Sequence, residues 1–392
     1  MGICTNRNCS GCAACCNICP QKCIYMNEDE YGVLYPVILD ERCLGCGLCK
    51  KVCPLISQPT LYEPYDCYAA YQSNQEVRKS SASGGLARAF YESFITCYKG
   101  YVYGVIAEKD QVFFMGCDDI ATINRFQGSQ YTQANIGSVY KQIVDNLKFG
   151  REVLFIGCPC QVAACINFVK ESRYSLKNLF TIDLLCHGVT PQKYLKEELQ
   201  YLANKKRWSE YSKVTFRTNQ KGKNYRFNVN YQRGNSKRQK IYSVPALASA
   251  YFSSFVLNIS LRESCYHCIY SCLSRSGDIT IGDFIGLASQ KCSKPYDGET
   301  NNVSVVLVNT KKGERLFSLL SDSIIKYKRS VSEAYLGGAS LQRPAVPSVY
   351  REKFLELYIK YGFAFSSRKI LKSKIVIAVI KDFIKRALRY VK

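Results

Sequence analysis

Two cysteine runs of one spacing, an alternation of short apolar runs with helical patterns, and one stretch of period-two alternation set the fold class. They predict a small α+β unit at the N-terminus, then an α/β domain with a mixed sheet and an inserted antiparallel ribbon. The expected extents are 1–58 for the first unit, 59–345 for the α/β domain and 346–392 for a basic helical tail.

The first unit rests on "CSGCAACCNICP" and "CLGCGLCKKVCP". Cys9, Cys12, Cys15 and Cys19 give C-x2-C-x2-C-x3-C followed by Pro20; Cys43, Cys46, Cys49 and Cys53 repeat it before Pro54. This spacing is similar to that of bacterial two-cluster ferredoxins, so the unit is expected to be α+β and ferredoxin-like. In that pattern the first three cysteines of each run hold one [4Fe–4S] cube, and the fourth ligates the other. One cluster would take Cys9, Cys12, Cys15 and Cys53, the second Cys43, Cys46, Cys49 and Cys19. Cys4, Cys16 and Cys23 are left over. The turns Ser10-Gly11 and Leu44-Gly45 suit a chain wrapping a cube corner. Structural zinc, which favours two separated pairs, leaves the third cysteine and the C-P unexplained.

The 392 residues include 22 cysteines and carry a formal charge of +23. The length suggests about two or three domains. "MGICTNRNC" offers neither the apolar stretch nor the cleavage site of a secretory signal, and Asn6 breaks the myristoylation pattern. A cytoplasmic location is expected, where thiols stay reduced and ligate metal rather than pair. No apolar run approaches the roughly 20 residues of a membrane span. Basic residues are densest from Lys205 to Lys240, with Glu210 the only acid. Helix-turn-helix, RNP and zinc-finger spacings are all missing, so nucleic acid is not the expected partner. An anionic small-molecule substrate or an acidic carrier suits the charge better, met by Lys221, Lys223, Arg226, Arg233, Lys237 and Arg238.

Beyond "PLISQPT", "GGLARAFYESFITC" reads as a helix. "YVYGVI", "EVLFIG", "NLFTIDLLCHG" and "VSVVLV" read as strands, interleaved with helical patterns such as "IGSVYKQIVDNLKFG". From 213 to 244 the period changes: Tyr225, Phe227, Val229 and Tyr231 fall on one strand face, and Gly234-Asn235 supplies a turn. The tail reads as an amphipathic helix with Ile377, Ile380, Ile384 and Leu388 on one face. It docks on the domain or a partner subunit, or makes peripheral contact with an anionic membrane.

In order along the chain, "SSASGGLARAF", "GSQYTQANIG", "VLFIGCPCQVAAC", "IDLLCHGV", "LRESCYHC" and "SGDITIGDFIG" resemble the coenzyme F420 hydrogenase/dehydrogenase beta subunit family of iron–sulfur flavoproteins. The resemblance spans about residues 66–290. It implies FAD on the α/β domain, and Ser83, Gly84, Gly85, Gly128 and Ser129 are the expected binding residues. "SASGG" before a helix suits a phosphate, although the same residues can be an ordinary N-cap and turn. A third [4Fe–4S] cluster is implied on Cys160, Cys186, Cys265 and Cys268, with Cys158, Cys165 and Cys272 as neighbours able to substitute. His187 and His267 each adjoin a proposed ligand, and are expected in a structural role ahead of proton donation.

The function expected is an oxidoreductase that passes electrons between a soluble carrier or partner redox subunit, the clusters and FAD. It would reduce or oxidise a small molecule, with coenzyme F420 a candidate. The alternative is a non-catalytic electron-relay subunit of a larger redox complex.

Overall fold

The computed structural model describes residues 2–5, 7–217, 225–234, 238–289 and 295–390, the last six without their side chains. Near the N-terminus, β1 (Ile24–Glu28) and β2 (Leu34–Ile38) form an antiparallel pair, flanked by short helices at Ala14–Ile18 and Leu48–Lys51. Each helix follows a left-handed residue, Ala13 and Gly47, inside a cysteine run.

A mixed sheet of eight strands follows. In chain order these are β3 (Asp66–Gln72), β4 (Tyr101–Glu108), β5 (Gln111–Cys117), β6 (Val153–Gly157) and β7 (Leu179–Leu184), and later β11 (Ile279–Asp283), β12 (Ser304–Val308) and β13 (Ile324–Arg329). They lie side by side as β13-β3-β12-β11-β7-β6-β4-β5. The central run β11, β7, β6, β4 is parallel; every other pairing is antiparallel. The five residues of β6 are all buried, as are those of β12. Such fully apolar strands have helices or loops over both faces. Helix Leu86–Tyr98 covers one face, and Val139–Lys148 and Pro159–Glu171 the other.

Between β7 and β11 stand β8 (Glu210–Arg217), β9 (Tyr225–Gln232) and β10 (Lys240–Pro245), a separate antiparallel sheet ordered β10-β9-β8. The expected ribbon is therefore three-stranded; Asn235 of its expected turn lies outside the described residues. Phe227 and Val229 are buried, as the alternation requires, but so are Arg226 and Asn228 on the opposite face. For Arg226 the tail is the reason, while Asn228 donates to Thr215 of the neighbouring strand. Helical from Arg351 to Tyr390, the tail breaks at Gly362 (φ 70°, ψ 179°). The Glu197 carboxylate accepts from Phe363 N at 2.6 Å and from the Tyr358 hydroxyl at 3.1 Å, closing the break. Phe354, Tyr358, Phe363 and Leu371 share a buried cluster with Tyr194, Phe227 and Tyr251. Arg226 pairs with Asp382 at 3.1 Å, both largely out of solvent.

That pair takes Arg226 out of the expected basic patch. Arg226 serves the tail contact, and Arg233 donates from Nε and Nη2 to the Lys206 carbonyl. Lys221, Lys223 and Lys237 lie outside the described residues. No described helix is long and apolar enough to cross a membrane.

Candidate metal centre

Cys9, Cys12, Cys15 and Cys53 line one small cavity, together with Cys4. The fourth cysteine of the second run thus closes a ring begun by the first three of the first run. Burial alone would push these thiols up, as it does Cys12, to about 12. Cys9 is instead held down to about 6, by its hydrogen bond with Cys4 and then by the Arg262 guanidinium. Cys53 is held to about 7, again chiefly by Cys4. Cys16 does not line the cavity.

The second group is more open. Cys43 and Cys46 are exposed, Cys49 half-buried and Cys19 buried. Cys19 Sγ lies 3.4 Å from Cys23 Sγ, and Cys43 adjoins Cys23. All three leftover cysteines therefore touch the thiol groups: Cys4 and Cys23 as above, and Cys16 through a hydrogen bond with Cys15 from outside the cavity.

The third group sits on the edge of the large sheet where its parallel strands end. Cys158 follows β6 directly and Cys186 is two residues past β7. Helix Pro159–Glu171 begins at once because Pro159 fits the first helical position and Gln161 Oε1 accepts from Cys158 N at 3.0 Å. Cys265 and Cys268 come from the loop before β11. Cys158, Cys160, Cys186, Cys265 and Cys268 all line one cleft. Of the possible substitutes, only Cys158 reaches it. Cys165 is fully buried in the sheet core, and Cys272 donates to the Ile269 and Ser274 carbonyls. Both histidines line the cleft. His187 Nε2 is 2.6 Å from Asn258 Oδ1, and His267 Nε2 accepts from Arg7 Nε at 2.9 Å, so both are already engaged.

Three buried side chains, Arg262, Arg275 and Asp183, and the half-buried Gln133, all missed by sequence reading, join these groups. Arg262 donates to the carbonyls of Cys9 (2.7 Å) and Leu34 (2.8 Å) and to Gln133 Oε1. Gln133 Nε2 in turn donates to the carbonyls of Ser10 and Gly11. Beneath the cleft, Arg275 and Asp183 form an ion pair at 2.8 Å, almost wholly buried. Arg275 also donates to the carbonyls of Tyr270, Cys272 and Leu184, which fixes the loop that carries Cys268.

The donors are thiols, which fit an iron–sulfur cluster. All described cysteines are free thiols. Among the described residues no group of three or more His, Cys, Asp or Glu is arranged to hold a single metal ion. The thiols instead ring spaces. In the third group, burial pushes Cys160 and Cys265 up, and a cation in the cleft would favour their thiolates.

Of the expected flavin residues, Gly84 sits at the same sheet edge. Asp283 of β11 pairs with Ser304 of β12, which pairs with Ala70 of β3. Gly84 N donates to Ser304 Oγ at 3.1 Å, and a Cβ on Gly84 would meet the Ala70 carbonyl oxygen at 2.6 Å. Gly84 is thus small because it packs on the sheet backbone. Gly85 (φ 84°) opens helix Leu86–Tyr98, against whose Tyr91 the ring of Phe126 packs, two residues before Gly128. Two nearby buried atoms, Gln72 Nε2 beside Gly85 and Gln130 Oε1 beside Gly128, have no hydrogen-bond partner among the described residues. None of Ser83, Gly84, Gly85, Gly128 or Ser129 lines the thiol cavity or the cleft.

Residues 150–332 match the family described as the C terminus of the coenzyme F420 hydrogenase/dehydrogenase beta subunit, and residues 8–55 match the 4Fe-4S dicluster domain. The chain thus joins a 4Fe-4S dicluster domain to a domain of the F420 hydrogenase/dehydrogenase beta-subunit family. As such it is an iron–sulfur protein of an oxidoreductase family. Among solved structures, a chain of the F420-reducing [NiFe] hydrogenase complex from Methanosarcina barkeri is similar. The two share 18% identity over 84% of this chain and 94% of that one, with a TM-score of 0.44. No curated protein matches the chain.

Proposed function

We propose that this protein moves electrons between a protein donor and a small anionic molecule of the coenzyme F420 class, through three [4Fe–4S] clusters and FAD. Cys9, Cys12, Cys15 and Cys53 would hold the first cluster, Cys43, Cys46, Cys49 and Cys19 the second, and Cys160, Cys186, Cys265 and Cys268 the third. Ser83, Gly84, Gly85, Gly128 and Ser129 would bind the flavin. When bound, the clusters supply one-electron chemistry and the flavin supplies hydride chemistry.

The observation that carries the reading is the closure of the Cys9, Cys12 and Cys15 ring by Cys53. A pair of zinc sites gives no reason for the two runs to exchange their fourth thiol. The chain's residues sort the three groups by access. Cys43 and Cys46 are exposed, beside Leu44 at 70% exposure, which suits a protein partner. The first ring is buried, so its environment is dry. For the flavin, the support is Gly84 at the shared sheet edge and the two orphaned glutamine atoms.

The relay reading also has its observation. The exposed group at Cys43 suits docking to another redox subunit whether or not this chain turns over substrate. Anaerobically purified protein, assayed for iron and flavin and then screened against small acceptors, separates the two. Reduction of a small molecule by the isolated chain supports the enzyme; electron passage to a partner protein alone supports the relay.

A further inference from the structure

The second half of the tail helix has two faces of opposite use. Leu371 is buried in the aromatic cluster, Ile375 packs partly against it, and Asp382 pairs with Arg226. Arg368, on the same face, makes a two-pronged contact with Glu198, each bond 2.8 Å. The opposite face carries Val376, Ile377, Val379, Ile380, Phe383 and Ile384, each about half exposed or more. At about 100° per residue these six cover about 160° of the helix. Most of them, and the buried-side Ile375, are β-branched, a choice that costs helix propensity and returns nothing in water. Such a face is stable only if something covers it.

Charge selects the cover. Lys374 and Lys381 run along one edge of the apolar face, while Lys369 and Lys372 stand at its N-terminal end. All four are exposed, and none makes an ion pair among the described residues. Asp382, the only acid from 367 onward, is turned inward onto Arg226. A second copy of this chain would bring two lysine edges together with no acid to offset them. An anionic bilayer surface supplies both halves of the match: headgroups for the lysines and the acyl boundary for the aliphatic face. We infer that the helix face from Val376 to Ile384 lies on an anionic lipid surface and, through the Arg226–Asp382 pair and the Leu371 contact, holds the whole protein there. This binding is independent of the redox reading.

Flotation of the full chain with vesicles tests it. The protein should float with phosphatidylglycerol-containing vesicles and remain below with pure phosphatidylcholine. Ile380→Asp with Ile384→Asp should lower the partition coefficient by at least about tenfold, since both side chains must enter the boundary. Lys374→Glu with Lys381→Glu should weaken binding in a manner that fades as salt rises. All four positions are exposed, so iron content and the circular dichroism spectrum should not change. Failure to float with anionic vesicles would overturn the inference. So would a stable dimer, or a complex with an acidic protein, that the Ile380→Asp, Ile384→Asp variant abolishes while flotation persists.

Discussion

The Tyr270 hydroxyl donates a 2.6 Å hydrogen bond to the carbonyl of Pro54. Pro54 follows Cys53, which closes the first thiol ring; Tyr270 lies two residues past Cys268 and lines the cleft of the third group. One buried bond therefore ties the two thiol groups together, at a point 216 residues apart in sequence. The Cys9–Arg262 and Gly11–Gln133 contacts reinforce the same seam.

Tyr270→Phe leaves the Pro54 carbonyl without its donor. A buried acceptor stranded in this way costs about 1–3 kcal/mol. The urea midpoint for iron release should fall, whereas Tyr25→Phe, at an exposed position, should leave it in place. An unchanged midpoint for Tyr270→Phe would mean that the seam is held elsewhere.

Arg275→Met strands the Asp183 carboxylate in a fully buried position. Breaking such a pair from one side costs about 3–5 kcal/mol. Soluble yield and the thermal midpoint should both drop sharply, with Arg42→Met, exposed, as the control. Wild-type stability would show that Asp183 is satisfied by Thr280, Gly277 and Ser276 without the guanidinium.

Cys160→Ala should remove about four iron atoms per chain, the content of one cube. Cys165→Ala, only five residues on, should remove none, because that thiol is buried in the sheet core away from the cleft. Equal iron in both variants would take the third cluster off these cysteines.

Gln130→Leu separates a binding site from a packing defect. A flavin that uses Gln130 Oε1 is lost with the side chain, and flavin content should fall. If the orphaned atom is only a defect, removing it should raise stability and leave flavin unchanged. Gly85→Val cannot make this distinction. Its left-handed φ and the Gln72 side chain 2.8 Å from an added Cβ strain the fold whatever binds.

The parts of this structure legible in sequence are those whose signals are local. The cysteine runs, the fully apolar strands β6 and β12 and the alternation in β9 each fit within a dozen residues. What was hidden depends on distant partners. Arg226 reads as one of a crowd of surface cations until Asp382, 156 residues later, reaches it. β12 enters antiparallel between β3 and β11, an order that no helical alternation announces. Gly84 has the spacing of a phosphate loop, but its lack of a side chain serves the Ala70 and Ser304 contacts. Gly362 sits within an unbroken helical pattern, and only Glu197 reveals why the helix stops and restarts there.

Iron content of two single-cysteine variants tests the central claim most directly. Anaerobically purified wild-type protein should hold about 8 to 12 iron atoms per chain, four for each cube. Cys53→Ala opens the ring formed with Cys9, Cys12 and Cys15 and should lose about four of them. Cys16→Ala, whose thiol does not line the cavity, should lose none. Equal losses from the two variants, or stoichiometric zinc with no iron in the wild type, would contradict the account.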